Sequence, residues 1–463
     1  MGVNFSPFEI GRRALRASQL GLALAGQNIA NVNTPGYTRQ SVMLSASGGS
    51  GVGKTGLIGS GVTIDGVRQF RDRFVESRLR TETAIAGRFT AQRDALAPVD
   101  AVFNESDGDG ISAAMHSFFG SFTALEANPT STALRNDVVA KTGTFVSTLA
   151  ATRSRLTSIR GDNDGALRNS VTELNTLTAQ VADLNVRIAT VEHTGAAASE
   201  LRDQRETVVQ RVAELSGARA VEGHDGMVML TLSDGQALVS GDHATDLQVQ
   251  DTLPNGLATV FLNGQPAAIG DGGLRGLQDA ITGIGDQITS LDALAAAIAS
   301  RVNALHSSGT DLNGNAGGNF FEIPAVGPVT AANLSIATAI KADPKLIVAS
   351  ALVPPATFGT VAGAIGGLLT DPSSQVGPRT GSFSSIYGSI VAAAGSGVKT
   401  AEDALATQRV ILAQAKAQRD AVSGVSLDEE AISLLQFQKS YEAAARFLKI
   451  ADDLTQTILS LGQ

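Results

Sequence analysis

Apolar residues recur every seven positions at both ends of the chain. Phe8, Leu15, Leu22 and Ile29 form one series, and Leu427, Leu434, Tyr441 and Leu448 form the other. A seven-residue repeat lines side chains along one seam of a helix. Each stripe is too narrow to hold a helix by itself, so the pattern predicts two coiled-coil-like terminal helices that pair with each other or with copies in other subunits. The first helix must stop at Pro35-Gly36, which suits the centre of a type II turn. The last helix starts at Ser426 with Glu429 three residues on, the spacing of a capping box, and Asp428 adds favourable charge at that end.

Between the two ends the period changes several times. Thr38 to Leu44 and Val62 to Val67 alternate as strands on either side of a glycine-rich loop, Gly48 to Gly61. Helical spacing then holds over 69–104, and a long helical stretch from Thr132 to Ser216 carries Leu167, Leu174, Val181 and Ile188 seven apart, with a break near Gly195. From Ala218 to Gly270, short alternating runs between Asp-Gly and Asn-Gly turns predict a small β domain. Helix resumes from Leu274 to His306 and again from Phe383 to Val422, the latter predicted to be interrupted at Gly395 and Gly397. The expected fold is multidomain and mainly α: terminal helices, a long helical-bundle rod domain and a small inserted all-β domain. The expected boundaries are 1–36 with 424–463 for the terminal assembly domain, 37–216 with 271–321 and 383–423 for the helical body, 217–270 for the β domain, and a mixed segment, 322–382, assigned to none.

Composition narrows the function classes. A net charge of −9 with no long basic run argues against a nucleic-acid surface, and zero cysteine removes disulfides, thiol nucleophiles and thiolate metal sites. Only 4% of residues are aromatic while 50 are glycine, so the cores are expected to be aliphatic. No run of about 20 apolar residues suggests a membrane span, and the longest apolar piece near the N-terminus, Leu20 to Ala25, is too short for a cleaved secretory signal.

Three motifs suggest chemistry. Gly48-Gly49-Ser50-Gly51-Val52-Gly53-Lys54-Thr55 matches the P-loop letter for letter, but strand-like residues follow where a phosphate-binding helix should begin. Asp311, Asn313, Asn315 and Glu322 hold calcium-loop positions, yet Ala316 replaces the required glycine, so a turn bonded to its own backbone is expected. The five histidines show no metal-ligand spacing and are expected at surface or turn positions. No catalytic residue, cofactor or metal ligand is assigned.

The segment Asn28-Ile29-Ala30-Asn31-Val32-Asn33-Thr34-Pro35-Gly36-Tyr37, together with Val425-Ser426-Leu427-Asp428-Glu429-Glu430 and Tyr441-Glu442-Ala443-Ala444-Ala445-Arg446, resembles the bacterial flagellar axial proteins. The internal Gly309-Thr310-Asp311-Leu312-Asn313-Gly314 to Phe320-Phe321 segment resembles the hook-filament junction members more than hook or rod subunits. The resemblance implies a structural, non-enzymatic subunit of a helical homo-polymer, located outside the cell in the flagellum. Its implied neighbours are the hook protein and the second hook-filament junction protein. It also implies a cytoplasmic chaperone and the flagellar type III export apparatus, with no nucleic acid and no membrane insertion. The alternatives are a hook or distal-rod subunit, or a nucleotide-binding enzyme using Gly48 to Thr55.

Burying the eight seam residues would contribute on the order of 10–20 kcal/mol, less than the cost of ordering both terminal segments. The terminal helices are therefore expected to fold against neighbouring subunits. After Phe321 the chain passes quickly to Ala339-Ile340-Lys341-Ala342, where longer relatives carry another β-rich domain, so an outer domain is expected to be reduced.

Overall fold

The computed structural model describes residues 6–48, 50–51, 57–103, 105, 110–251, 258–351 and 359–461. The first helix, α1 (Ser6–Ala30), ends before the Pro35-Gly36 turn. There Tyr37 N–H donates to Thr34 O at 3.2 Å and Gly36 has φ +81°, as a type II turn needs at its third residue. A long antiparallel hairpin follows, built from β1 (Gln40–Ala46), β2 (Ser50–Gly51), β3 (Leu57–Ile58) and β4 (Val62–Gln69). β1 pairs with β4 from Gln40–Gln69 to Ala46–Val62 with a bulge at Met43/Leu44, and β2 pairs with β3. The hairpin lies along α1, where Arg13 donates to Ser47 Oγ at 2.6 Å.

The helical body consists first of α2 (Arg73–Phe103), α3 (Ile111–Ala127), α4 (Thr132–His193) and α5 (Ser199–Ser216). Ser131 caps α4, its side chain accepting from Leu134 N–H, and 62 residues make α4 about 90 Å long. The expected break near Gly195 separates α4 from α5, with Gly195 at φ +81°. Two small antiparallel sheets pack against α4. β5 (Arg219–Glu222), β6 (Val228–Thr231), β7 (Ala237–Ser240) and β8 (His243–Ala244) pair in chain order; β9 (Leu247–Asp251), β10 (Ala258–Leu262) and β11 (Gln265–Pro266) form the second sheet. α6 (Gly272–His306) returns to the body, followed by α7 (Thr338–Ala342), α8 (Thr360–Gly367), the short pair β12 (Gln375–Val376) and β13 (Arg379–Thr380), then α9 (Phe383–Ser423) and α10 (Leu427–Leu461).

Two apolar cores hold the body. Both are mainly aliphatic, as composition suggests, but the first encloses a cluster of phenylalanines. Phe118 stacks on Phe145 at 5.2 Å and meets Phe122 edge-on at 5.5 Å, with Phe119, Phe320, Phe321 and Phe383 around them. Ile347, Val348, Val361 and Ile365 join that core, so the unassigned 322–382 segment packs directly onto the helical body. The second core joins α4 to the sheets through Leu174, Val181, Leu230, Leu238, Val260 and Leu262. All four α4 repeat residues are fully buried: Leu167, Leu174, Val181 and Ile188 are 0% exposed.

Two details depart from the sequence pattern. α6 contains an 18-residue window of mean hydropathy 1.2, long and apolar enough by composition to cross a membrane. It owes that character to threading both cores, Leu274 to Ile281 in the second and Ile284 to Val302 in the first. α9 runs unbroken across Gly395 and Gly397. Its buried face, Ile390, Ala394, Val398, Ala401 and Leu405, continues through them, and that packing outweighs the roughly 1 kcal/mol each glycine costs a helix.

One device recurs where extended segments pass a helix. Asn175 donates its amide to Leu247 O and accepts from Leu247 N–H, both at 2.9 Å. Asn185 does the same to Val228 at 2.9 and 3.0 Å and also donates to Gly241 O at 2.7 Å. Asn303 holds Phe321 at 3.0 and 2.7 Å, and Asn28 holds Gln40 at 2.9 and 3.1 Å. In each case one helix-borne side chain satisfies both backbone groups of an extended residue.

Candidate assembly interface

α1 and α10 pack antiparallel through notches and knobs. A Cβ on Gly11 would stand 2.5 Å from Leu448 Cδ2, and one on Gly21 would stand 2.5 Å from the Phe437 ring. The deeply buried face of α1 is therefore Ala17, Ser18, Gly21, Leu24, Ala25 and Asn28, mostly small residues that let the two backbones approach closely. The bulky seam residues of α1 rim that face, Phe8, Leu15, Leu22 and Ile29 being half-buried; on α10 Leu448 is the knob over Gly11, Leu434 and Tyr441 are half-buried, and Leu427 is 52% exposed. Where the sequence suggested helices completed by other subunits, the two ends complete each other along one face.

A second face of α10 stays open. Ile432, Leu435, Phe447, Ile450, Leu454 and Ile458 are between 41% and 69% exposed. From Phe447 onward they follow three- and four-residue steps, and Ala443 bridges the gap toward Leu435, so they form one apolar stripe along the helix. The outward face of α1 carries Arg12, Arg16 and Gln19 instead. An apolar stripe of this length marks an interaction surface.

The base of the helical pair is closed by a polar clasp. Asn28, 1% exposed, accepts from Tyr37 OH at 2.8 Å and donates to Glu430 Oε2 at 3.0 Å while holding Gln40. Burial, and then the negative charges of Asp203, Glu430 and Glu200, push the Tyr37 phenol up to about 12, so its hydroxyl remains a donor. Arg39 donates Nε to Glu430 and Nη1 to Glu429, each at 2.7 Å. Glu429 therefore turns to Arg39, a charge-assisted bond, where the sequence spacing pointed it back toward Ser426. Ser426 and Asp428 are exposed, and the Ser426 carbonyl accepts from Glu430 N–H at 3.0 Å. Asn31 donates to Gln27 O at 3.0 Å and accepts from Thr34 Oγ1 at 3.1 Å; Asn33, Thr34 and Pro35 face solvent. Gly36 sits against α5, where a Cβ would lie 2.6 Å from Thr207 Oγ1.

The sequence motifs contained Asn28, Tyr37, Glu429 and Glu430 without pairing them, and did not single out Arg39, Gln40 or the α5 residues. The available signal was the second seven-residue series, Gly11-Ser18-Ala25 and Gly21-Asn28, beside the bulky one.

The motifs that suggested chemistry have structural roles where they are described. Gly51 and Leu57 pair as strand residues on either side of 52–56, so strands flank the P-loop-like pattern; Val52 to Thr55 lie outside the described residues. Asp311 Oδ1 accepts from the backbone N–H of Asn313 and of Asn315, both at 2.8 Å, and Oδ2 accepts from Asn315 Nδ2 at 3.3 Å, which is the self-bonded turn. Glu322 accepts from Thr338 N–H at 3.1 Å. His116, His193, His224 and His243 are exposed as expected; His306 is not, because both its ring nitrogens are bonded to backbone in the aromatic core.

Three family models match the chain. "Flagellar hook-associated protein FlgK helical domain" covers 96–321, "Flagella basal body rod protein" covers 8–38, and "Flagellar basal body rod FlgEFG protein C-terminal" covers 417–461. Among curated relatives, "Flagellar hook-associated protein 1" of Bacillus subtilis is 28% identical over 503 residues, spanning 99% of each chain. The protein of that name from Escherichia coli is 26% identical, spanning 96% of this chain and 98% of its own. The flagellar hook junction protein FlgK from Burkholderia pseudomallei shares the fold, with a TM-score of 0.65 at 16% identity, over 75% of this chain and 100% of that one.

Proposed function

Since the chain belongs to the family of flagellar hook-associated protein 1, we propose that it is a structural, non-catalytic subunit of the junction between flagellar hook and filament, and that copies assemble through the terminal helical pair. The carrying observation is the apolar stripe of α10, which remains open after α1 has covered the opposite face. Covering its six large side chains, each about half exposed, would contribute on the order of 5–10 kcal/mol per subunit. That is enough to drive a polymer contact when repeated around a ring.

The distribution of family matches supports the same division of labour. The end segments match models described for basal-body rod proteins, while the central helices match the hook-associated model. Ends common to axial proteins suit a shared mode of polymerisation, and the distinct centre suits a particular place in the polymer. In this reading the chain meets copies of itself, the hook protein on one side and the second junction protein on the other. Before export through the type III apparatus a cytoplasmic chaperone covers the stripe.

The test replaces Leu435 and Ile450, 56% and 58% exposed, by serine together. The purified monomer should unfold at an unchanged temperature, while cells carrying the variant should build complete hooks and shed filament subunit into the medium. Normal filaments on the variant would overturn assembly through this stripe. Incomplete hooks in a deletion strain would place the chain among hook or rod subunits instead.

A further inference from the structure

The terminal unit, comprising α1, the β1–β4 hairpin and α10, meets the helical body at a joint of unusual composition. Neither apolar core includes a residue of α1, the hairpin or α10. Cavities of about 550, 840 and 510 Å³ open around the joint, the first lined by Arg71, Arg80 and Arg202, the second by the Asn31 to Tyr37 turn, the third by Leu24 and Ser199. Hydrogen bonds span it: Gln27 to Glu200 at 3.0 Å, Gln69 to Ser199 O at 3.0 Å, and Arg419 to the carbonyls of Gly36 and Tyr37 at 3.2 and 3.1 Å.

At the centre of these contacts stands Asp203 on α5, 9% exposed. One carboxylate oxygen accepts from Thr38 N–H at 3.2 Å; the other accepts from Gln69 Nε2 at 3.2 Å and Arg71 Nη2 at 2.5 Å. Thr38 is where the chain enters the hairpin from α1, and Gln69 and Arg71 are where it leaves for α2. A single side chain of the body therefore grips both strands of the connection. Thr38 Oγ1 and Gln40 Nε2 are buried at the same joint without a hydrogen-bond partner among the described residues, and Arg71 Nε has only an ion-pair contact with Glu76 at 3.8 Å, so this arrangement leaves polar groups able to bond in another one.

We infer that Asp203 is a positioning residue that sets the angle of the terminal helical pair relative to the body, acting through Thr38, Gln69 and Arg71. The angle matters because a helical polymer keeps one regular repeat only if every subunit presents its terminal pair in one direction. The inference takes the terminal pair to be the assembly unit, as proposed above, but its test needs no polymer. A body joined to its terminal unit largely by charge-assisted bonds, outside both apolar cores, turns when those bonds are removed and keeps its own fold.

The chain contains no cysteine, so the exposed Lys449 of α10 and Ala179 of α4 can be changed to cysteine and spin-labelled uniquely in the full-length monomer. Double electron-electron resonance then reads the distance between terminal unit and body. The parent should give one narrow distribution. Asp203→Asn, which keeps the shape and removes the charge, should raise a displaced population by about tenfold or more, the effect of losing one charge-assisted hydrogen bond. The melting of the body, followed by near-ultraviolet circular dichroism, should stay within a few degrees. Gln69→Ala, which removes the neutral bonds to Asp203 and Ser199 and keeps those of Thr38 and Arg71, should give a smaller shift and serves if Asp203→Asn folds poorly. An unchanged distribution in both variants, or a lower melting temperature with the distribution unchanged, would overturn the assignment.

Discussion

Replacing His306 by leucine should change how the stability of the protein depends on acid. His306 is 0% exposed, its ring 5.5 Å from that of Phe320. Nδ1 lies 2.7 Å from Gly318 O and Nε2 accepts from Val348 N–H at 2.8 Å, a pairing that fixes the neutral tautomer with the proton on Nδ1. Protonating Nε2 would set a proton against the Val348 N–H inside an apolar core. Burial pushes the imidazole from 6.5 down to about 4; the Gly318 carbonyl opposes the shift, Arg135 adds to it, and Asp311 opposes it. The unfolded chain therefore binds the proton more readily than the folded one, and stability falls as pH drops from 6.5 to about 4 and no further below. The depth of that fall is about 3 kcal/mol for a pKa difference of this size. In urea titrations, His306→Leu should be less stable than the parent by about 2–4 kcal/mol at pH 7, for two backbone groups left unpaired. The gap between the two should close by about 3 kcal/mol near pH 4, since only the parent loses the linkage. A gap that stays constant between pH 7 and pH 4 would refute the assignment of a buried neutral imidazole.

Two further substitutions probe other features. Gly36→Ala meets both a left-handed φ of +81° and Thr207 Oγ1 at 2.6 Å, and should cost about 1–3 kcal/mol in urea unfolding; adding Thr207→Ala should recover the steric part and leave the backbone part. Asn185→Leu strands both backbone groups of Val228 and one bond each from Gly241 and Arg205, and should cost about 3–5 kcal/mol. A cost below about 1 kcal/mol would mean that the β domain does not depend on that side chain.

How far the fold could be read from sequence depended on what each element buries. The α4 repeat, Leu167, Leu174, Val181 and Ile188, was legible because a helix crossing a core buries its largest apolar residues, and all four are 0% exposed. On α10 the seam residue Leu448 does meet α1, over Gly11, but on α1 the same rule passed over the residues that set the contact. There the closest approach runs along Gly11, Ser18, Gly21 and Ala25, and hydrophobicity gives such residues little weight although they set the distance between the backbones. The Pro35-Gly36 turn and the self-bonded Asp311 turn followed from local geometry alone and stand as read. Glu429 did not, because its partner Arg39 lies 390 residues away in sequence. Asp203 was invisible for the same reason: its three donors come from positions 132 to 165 residues distant. The 322–382 segment lacked a period to read because its short pieces take their shape from the aromatic core they cover.

The paired asparagines have a consequence for how the small sheets come to be aligned. Asn175 and Asn185 sit ten positions apart on one helix, about 15 Å along its axis, and each amide pairs with both the N–H and the C=O of one strand residue, Leu247 and Val228. A hairpin slipped by one residue would turn its apolar side chains outward and also leave both amides facing the wrong backbone groups. The helix thus works as a graduated ruler for the strands laid on it. Cut free of that ruler, residues 217–270 would keep their turns and lose the marks that say where each strand begins.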